Sequence, residues 1–222
     1  MKALLFDIEG TTTDIKFVHE VLFPYARENM QSFLENTTSS DVTEILETIK
    51  NKNNVNSREE VLELLLRWIQ EDKKITELKD LQGLLWESGY INGDYKAHLY
   101  PEVINCFKKW SDNNFKIYIY SSGSVKAQKL LFKYSVQGDL TPLISGYFDT
   151  NIGAKREVQS YQNILDELKL AASEVTFFSD IEEELDAAAE IGIKTLHLNR
   201  DGLYNESRHK IINSFNEVHF HA

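Results

Sequence analysis

Three short apolar runs in this chain each stop at a polar residue. Ala3-Leu4-Leu5-Phe6 ends at Asp7, Lys116-Ile117-Tyr118-Ile119-Tyr120 at Ser121, and Val175-Thr176-Phe177-Phe178 at Ser179-Asp180. Lys194 to Leu198 forms a fourth run, and Tyr147-Phe148-Asp149 a shorter fifth. Runs of this length, rich in β-branched and aromatic residues, predict strands buried on both faces. Between them, 103–113, 124–134, 157–169 and 182–191 carry apolar residues at helical spacing. Strand–helix alternation predicts an α/β fold with a parallel sheet covered on both faces.

The stretch between the first two strands reads differently. From Thr11 to Gln82 it contains no glycine, and only Pro24 interrupts it. Val18, Val21, Leu22 and Tyr25 make one apolar stripe, and Val42, Ile45, Leu46 and Ile49 a second. Val61, Leu64, Leu65 and Trp68 make a third, and Leu78, Leu81, Leu85 and Trp86 a fourth. Asp41 with Glu44, and Ser57 with Glu60, have the spacing of capping boxes. Four amphipathic helices with short loops predict a small bundle at 17–98. The expected organisation is therefore a core of 1–16 and 99–222 with a helical insertion after the first strand. The last twenty residues give no pattern, and His219 and His221 read as tail.

Charge narrows the classes of function. Across 222 residues, 24 Lys and Arg face 35 Asp and Glu, a formal net charge of −11. Nucleic-acid binding through phosphate contacts needs a basic face, and anionic membrane surfaces repel such a chain. No run reaches the ~18 apolar residues of a membrane span. Asp7 and Glu9 interrupt the N-terminal apolar run, against a signal peptide. The single Cys106 excludes an internal disulfide and a multi-cysteine zinc site. The expectation is an acidic cytoplasmic monomer acting on a small molecule.

Ligands of open α/β sheets bind beyond the carboxyl ends of the strands. Asp7, Ser121 and Asp180 all fall there, with Glu9 two residues beyond Asp7. A carboxylate at a strand tip can serve as nucleophile and magnesium ligand, and a second one two residues on can move protons. Polar residues also end strands for structural reasons, so it is the convergence that carries weight.

The segment Asp7-Ile8-Glu9-Gly10-Thr11-Thr12 resembles the DxDxT signature of the haloacid dehalogenase superfamily. Its later motifs have counterparts in order. Ser121-Ser122-Gly123-Ser124 follows the second strand, Lys155 lies in Gly153-Ala154-Lys155-Arg156, and Asp180 ends the 175–178 run. Within that superfamily, Asp7 to Thr13 and Ile119 to Phe132 resemble the enolase-phosphatases of methionine salvage. Leu22-Phe23-Pro24-Tyr25, Leu81-Gln82-Gly83, Gly146 to Asp149 and Ser160-Tyr161 add to the likeness.

The resemblance implies a Rossmann-like core of the haloacid dehalogenase type with an inserted helical-bundle cap. It implies enolisation and dephosphorylation of 2,3-diketo-5-methylthiopentyl-1-phosphate. It also implies roles: Asp7 as nucleophile, Glu9 for proton transfers, Lys155 as charge neutraliser, and Ser121, Ser122 and Lys155 as substrate ligands. Asp7, Glu9 and Asp180 would hold one magnesium ion. Gln82 or Lys79 of the insertion are expected near substrate, whereas Glu182, Glu183 and Glu184 read as the acidic first turn of a helix. Lys155, in a glycine-flanked loop, is expected to tolerate replacement within about 0.5 kcal/mol of stability. Another capped phosphatase or mutase would share every one of these motifs. Glu9 argues against a 2-haloacid dehalogenase, and intact motifs argue against a non-catalytic scaffold.

Overall fold

The computed structural model describes residues 2–220; His221 lies outside them. Six parallel strands form one sheet: β1 (Lys2–Phe6), β2 (Phe115–Tyr120), β3 (Gly146–Phe148), β4 (Val175–Ser179), β5 (Lys194–Leu198) and β6 (Lys210–Ile212). Their order is β3-β2-β1-β4-β5-β6. The chain moves outward from β1 to β3, then crosses to the other side of β1 for β4. The carboxyl ends of β1 and β4 thus flank the switch point where such sheets bind ligands.

Side-chain alternation along β1 builds two cores. Ala3 and Leu5 pack with Tyr120, Phe148, Tyr161, Ile164, Phe177 and Leu185. Phe6 faces the other way into an aromatic stack, 4.4 Å from Phe178, 4.9 Å from Phe107 and 5.3 Å from Phe215 between ring centroids. Phe215 shows that the C-terminal segment, patternless in sequence, is structural. It contributes β6 and a fully buried ring, and Phe220 packs 4.8 Å from Phe115. His219 is exposed.

Two compact units divide the chain: Met1–Ile15 with Lys96–Ala222, and Lys16–Tyr95. The second unit is helical and has its own core, including Met30, Ile49, Val61, Leu65 and Leu81. Pro24 does not end its first helix. The turn before it widens to a π-helical segment, Val18–Leu22, and Pro24 then falls in the first turn of Phe23–Asn36, where the missing N–H is tolerated. Ser57 and Glu60 form the capping box that the sequence predicts. Asp41 does not cap: Ser39 holds that position without a side-chain bond, and Asp41 lies inside the first turn. Gln82 is buried within Thr76–Asn92. Among the described residues, no helix is long and apolar enough to cross a membrane.

Candidate active site

The loop after β1 is built on one carbonyl. The amides of Thr11, Thr12 and Thr13 all donate to the Ile8 oxygen, at 3.2, 2.8 and 3.0 Å. Gly10 makes the reversal possible. Its φ is +71°, and a Cβ there would collide with the Asp180 carboxylate. The chain returning at 96–100 holds the loop from below. The Asp14 amide donates to His98 Nδ1 at 3.0 Å, Thr13 Oγ1 donates to the His98 carbonyl at 2.7 Å, and the Tyr100 amide to the Thr12 carbonyl at 3.1 Å. His98, placed by the sequence at the end of the helical insertion, therefore belongs to the α/β unit.

This loop sets Asp7 deep at the tip of β1, 3% exposed. Lys155 Nζ donates to Asp7 Oδ1 at 2.5 Å and lies 2.7 Å from Glu184 Oε2. Three side chains fix the Lys155 loop through its carbonyls. Tyr120 Oη donates to Gly153 O at 2.9 Å, Ser160 Oγ to Ala154 O at 2.7 Å, and Tyr161 Oη to Lys155 O at 2.7 Å. Gly153, at φ +137°, has no room for a Cβ against Ser160. Lys155 is therefore not the free surface lysine its loop suggests: its side chain is 10% exposed.

Glu184 is the residue that the sequence reading misplaced. It does not serve merely as an acidic first turn. It is buried, accepts from Ser179 Oγ at 2.8 Å and shares Lys155 with Asp7. Its place four residues before Ala188, beside Leu185 on the buried face of Glu182–Glu190, is the signal available in sequence.

Ser121 and Glu9 meet from different strands, with Ser121 Oγ donating to Glu9 Oε2 at 3.4 Å. Ser121 is buried and Ser122 beside it is exposed. Asp180 is partly buried, and Thr11 Oγ1 donates to its Oδ1 at 3.5 Å. All six residues singled out by sequence are thus at this edge of the sheet.

Electrostatics follow from burial. Asp7 is pushed well above the usual carboxylate range by desolvation and by Glu184, Glu9 and Asp180, despite Lys155. Burial also pushes Asp180 up, to about 6. Asp7 and Glu184 outweigh burial at Lys155 and hold its ammonium above the ordinary lysine value. Asp7, Glu9, Asp180 and Glu184 against Lys155 make a site short of positive charge.

A second buried pair supports the loop from the β5 side. Arg200 donates through Nη2 to the Thr11 carbonyl at 2.7 Å and through Nη1 to Glu102 Oε1 at 2.5 Å. Its guanidinium stacks between Tyr100, at 4.0 Å, and Phe215, at 4.8 Å. Burial opposes charge on Glu102, but Arg200 holds its carboxyl below the usual range. A depressed carboxyl adds stability above its unfolded value and loses it as pH falls through the folded one. Melting temperature is therefore expected to drop below about pH 4, and to drop less in Glu102→Gln. Identical acid limbs in thermal melts of the two proteins would contradict this role.

Similarity places this geometry in a family. The haloacid dehalogenase-like hydrolase model matches residues 1–192. Enolase-phosphatase E1 of Citrobacter koseri is 48% identical over 221 residues, covering 98% of this chain and 96% of that protein. The chain belongs to the enolase-phosphatases of the haloacid dehalogenase-like hydrolases. Enolase-phosphatase E1 of Serratia proteamaculans is likewise 48% identical, over 98% of this chain and 96% of its own. The crystal structure of the UTR4 protein of Saccharomyces cerevisiae matches with a TM-score of 0.85 at 39% identity, covering 98% of this chain and 99% of that one. For an enolase-phosphatase chain, the edge carrying Asp7, Glu9, Ser121, Lys155 and Asp180 is where hydrolysis and enolisation are to be sought.

Proposed function

We propose that this chain enolises 2,3-diketo-5-methylthiopentyl-1-phosphate and then removes its phosphate. The product is the acireductone 1,2-dihydroxy-3-keto-5-methylthiopentene, a step of methionine salvage. The observation that carries the reading is the pairing of two unlike carboxylates at one strand tip. Asp7 is buried, with one oxygen held by Lys155. Glu9 reaches across to Ser121 on a longer arm.

Asp7 attacks the phosphorus in line, and a bond forms from its carboxylate oxygen as the bond to the substrate oxygen breaks. Glu9 gives a proton to that departing oxygen. It then takes one from the water that hydrolyses the aspartyl phosphate. Lys155 holds Asp7 in place and balances the charge of the phosphate oxygens. Ser121 and Ser122 orient the phosphate. Enolisation requires loss of a proton from C1, beside the C2 carbonyl, whose oxygen becomes the enol hydroxyl.

The donors suit magnesium. They are hard oxygens: the carboxyls of Asp7 and Asp180, just beyond the ends of the neighbouring strands β1 and β4, and the main-chain carbonyl of Glu9. Among the described residues, no three His, Cys, Asp or Glu side chains form a metal-ready group. Two carboxylates completed by backbone, water and substrate phosphate are what magnesium takes. Bound there, one ion would screen the anionic substrate from the carboxylates. Asp180→Ala is expected to raise the magnesium concentration needed for half-maximal activity by about tenfold or more, and excess chelator to stop phosphate release. Full activity in chelator would contradict the assignment.

The reading includes a monomer in the cytoplasm, with the helical unit as the cap. A separate buried cluster in each unit supports the monomer. The substrate is tested by phosphate release from the diketone against several sugar phosphates. The diketone is expected to give a kcat/KM at least about a hundredfold higher. Equal rates on sugar phosphates would favour a general phosphatase.

A further inference from the structure

One buried polar side chain beside the phosphate loop is not used by the chemistry above. Gln128 lies in the first turn of Val125–Lys133, the helix after the Ser121–Ser124 loop, and is 1% exposed. Its amide nitrogen donates to two main-chain carbonyls, Gly123 O and Phe148 O, both at 2.8 Å. Its own oxygen is buried without a partner. The orientation of the amide follows from the acceptors, because a flipped side chain would set oxygen against two carbonyl oxygens. A buried unsatisfied oxygen costs about 1–3 kcal/mol, and a leucine or methionine would fill the place without it. Such a local cost, shared among the described residues only with Tyr147 Oη, points to function.

The two acceptors say what that function is. Phe148 O, at the end of β3, also accepts the Ser121 amide at 3.2 Å. Gly123 O lies two residues further along the same loop. Gln128 therefore ties the Gly123 end of the turn to the same β3 carbonyl that takes the Ser121 amide. It draws the Gly123 carbonyl into the protein and away from where an anion would meet it. The rest of the loop is consistent with an anion seat. Gly123 N donates to Ser121 Oγ at 3.1 Å, and among the described residues no protein acceptor takes the Ser122 amide. Ser124 caps the helix by accepting from the Ala127 amide at 3.3 Å.

We propose that Gln128 is a positioning residue for phosphate, holding the Ser121–Gly123 turn with the Gly123 carbonyl averted and the Ser122 amide open to an anion. This rests on the phosphatase reading above. It predicts a particular kinetic signature. A loop that relaxes when unpinned weakens every ligand carrying phosphate, substrate and product alike, and leaves Asp7, Lys155 and the enolisation geometry in place.

The test compares wild type, Gln128→Met and Gln128→Glu on the diketone phosphate, with inorganic phosphate as competitive inhibitor. In Gln128→Met, KM and the phosphate inhibition constant should rise together, about tenfold, with kcat within about threefold of wild type. Gln128→Glu should fall between the two, because a buried protonated carboxyl restores one donor of the pair. If Gln128→Met folds poorly, the glutamate variant carries the same comparison. Gln137→Met is the control. Gln137 also donates through its amide to two carbonyls, Leu99 O and Tyr100 O, but does not touch the turn. It should alter melting temperature and not phosphate inhibition. An unchanged KM and inhibition constant in Gln128→Met, or a fall in kcat alone, would overturn the proposal. A wild-type protein that releases no phosphate from the diketone would overturn the phosphatase reading instead.

Discussion

In Asp7→Asn, phosphate release is expected to fall by about a thousandfold or more while the enol still forms and accumulates. Phosphoryl transfer needs an oxygen nucleophile in line with phosphorus, and Asn removes that nucleophile at unchanged volume. Enolisation needs a base near C1 and a positive charge near the developing enolate oxygen. Neither requirement falls on the Asp7 oxygen that attacks. The variant should therefore show the ultraviolet absorbance of the phosphorylated enol with no free phosphate. Release at the wild-type rate would show that Asp7 is not the nucleophile. Absence of enol in a variant that still binds magnesium would show that Asp7 serves both steps.

Lys155→Ala is expected to lose both activity and stability. From sequence alone, the glycine-flanked loop predicts a lysine that can be changed within about 0.5 kcal/mol. The structure reverses this, because the ammonium is buried between Asp7 and Glu184. Its removal leaves two buried carboxylates without a counter-charge, a loss of about 3–5 kcal/mol near neutral pH. The pH dependence has a definite sign. Asp7 is already raised by burial, and without Lys155 it rises further. A group raised on folding favours the native state at low pH, and that contribution is lost as pH rises through its folded value. Denaturant melts should therefore show a gap between variant and wild type that is wide at pH 8 and narrows toward pH 5. Phosphate release should fall about a hundredfold or more at any pH where the variant is folded. Wild-type stability across that range would contradict the buried pair.

Much of this site was legible because parallel strands read as unbroken apolar runs, and a polar residue at the end of a run stands out. Asp7, Ser121 and Asp180 are all visible on that ground. What sequence did not reveal depends on contacts far along the chain. Glu184 sits within three consecutive glutamates, and only the buried face of its helix separates it from its neighbours. Arg200 follows β5 with no local pattern, yet it holds the Thr11 carbonyl from 189 positions away. The strand Lys210–Ile212 is three residues long, too short for alternation to register. Phe215 looks like any aromatic near a chain end until it meets Phe6. Lys155 misled for the opposite reason. Its local sequence describes a surface loop correctly, and only the fold brings Asp7 to it.

The central claim is that one sheet edge carries out two reactions in order on one phosphorylated diketone. It is tested most directly by a single-turnover experiment with the wild-type protein, magnesium and the diketone phosphate, following enol absorbance and free phosphate together. The account predicts that enol absorbance rises first and that one equivalent of phosphate follows with a lag. Phosphate released with no preceding enol, or enol formed with phosphate never released, would contradict it.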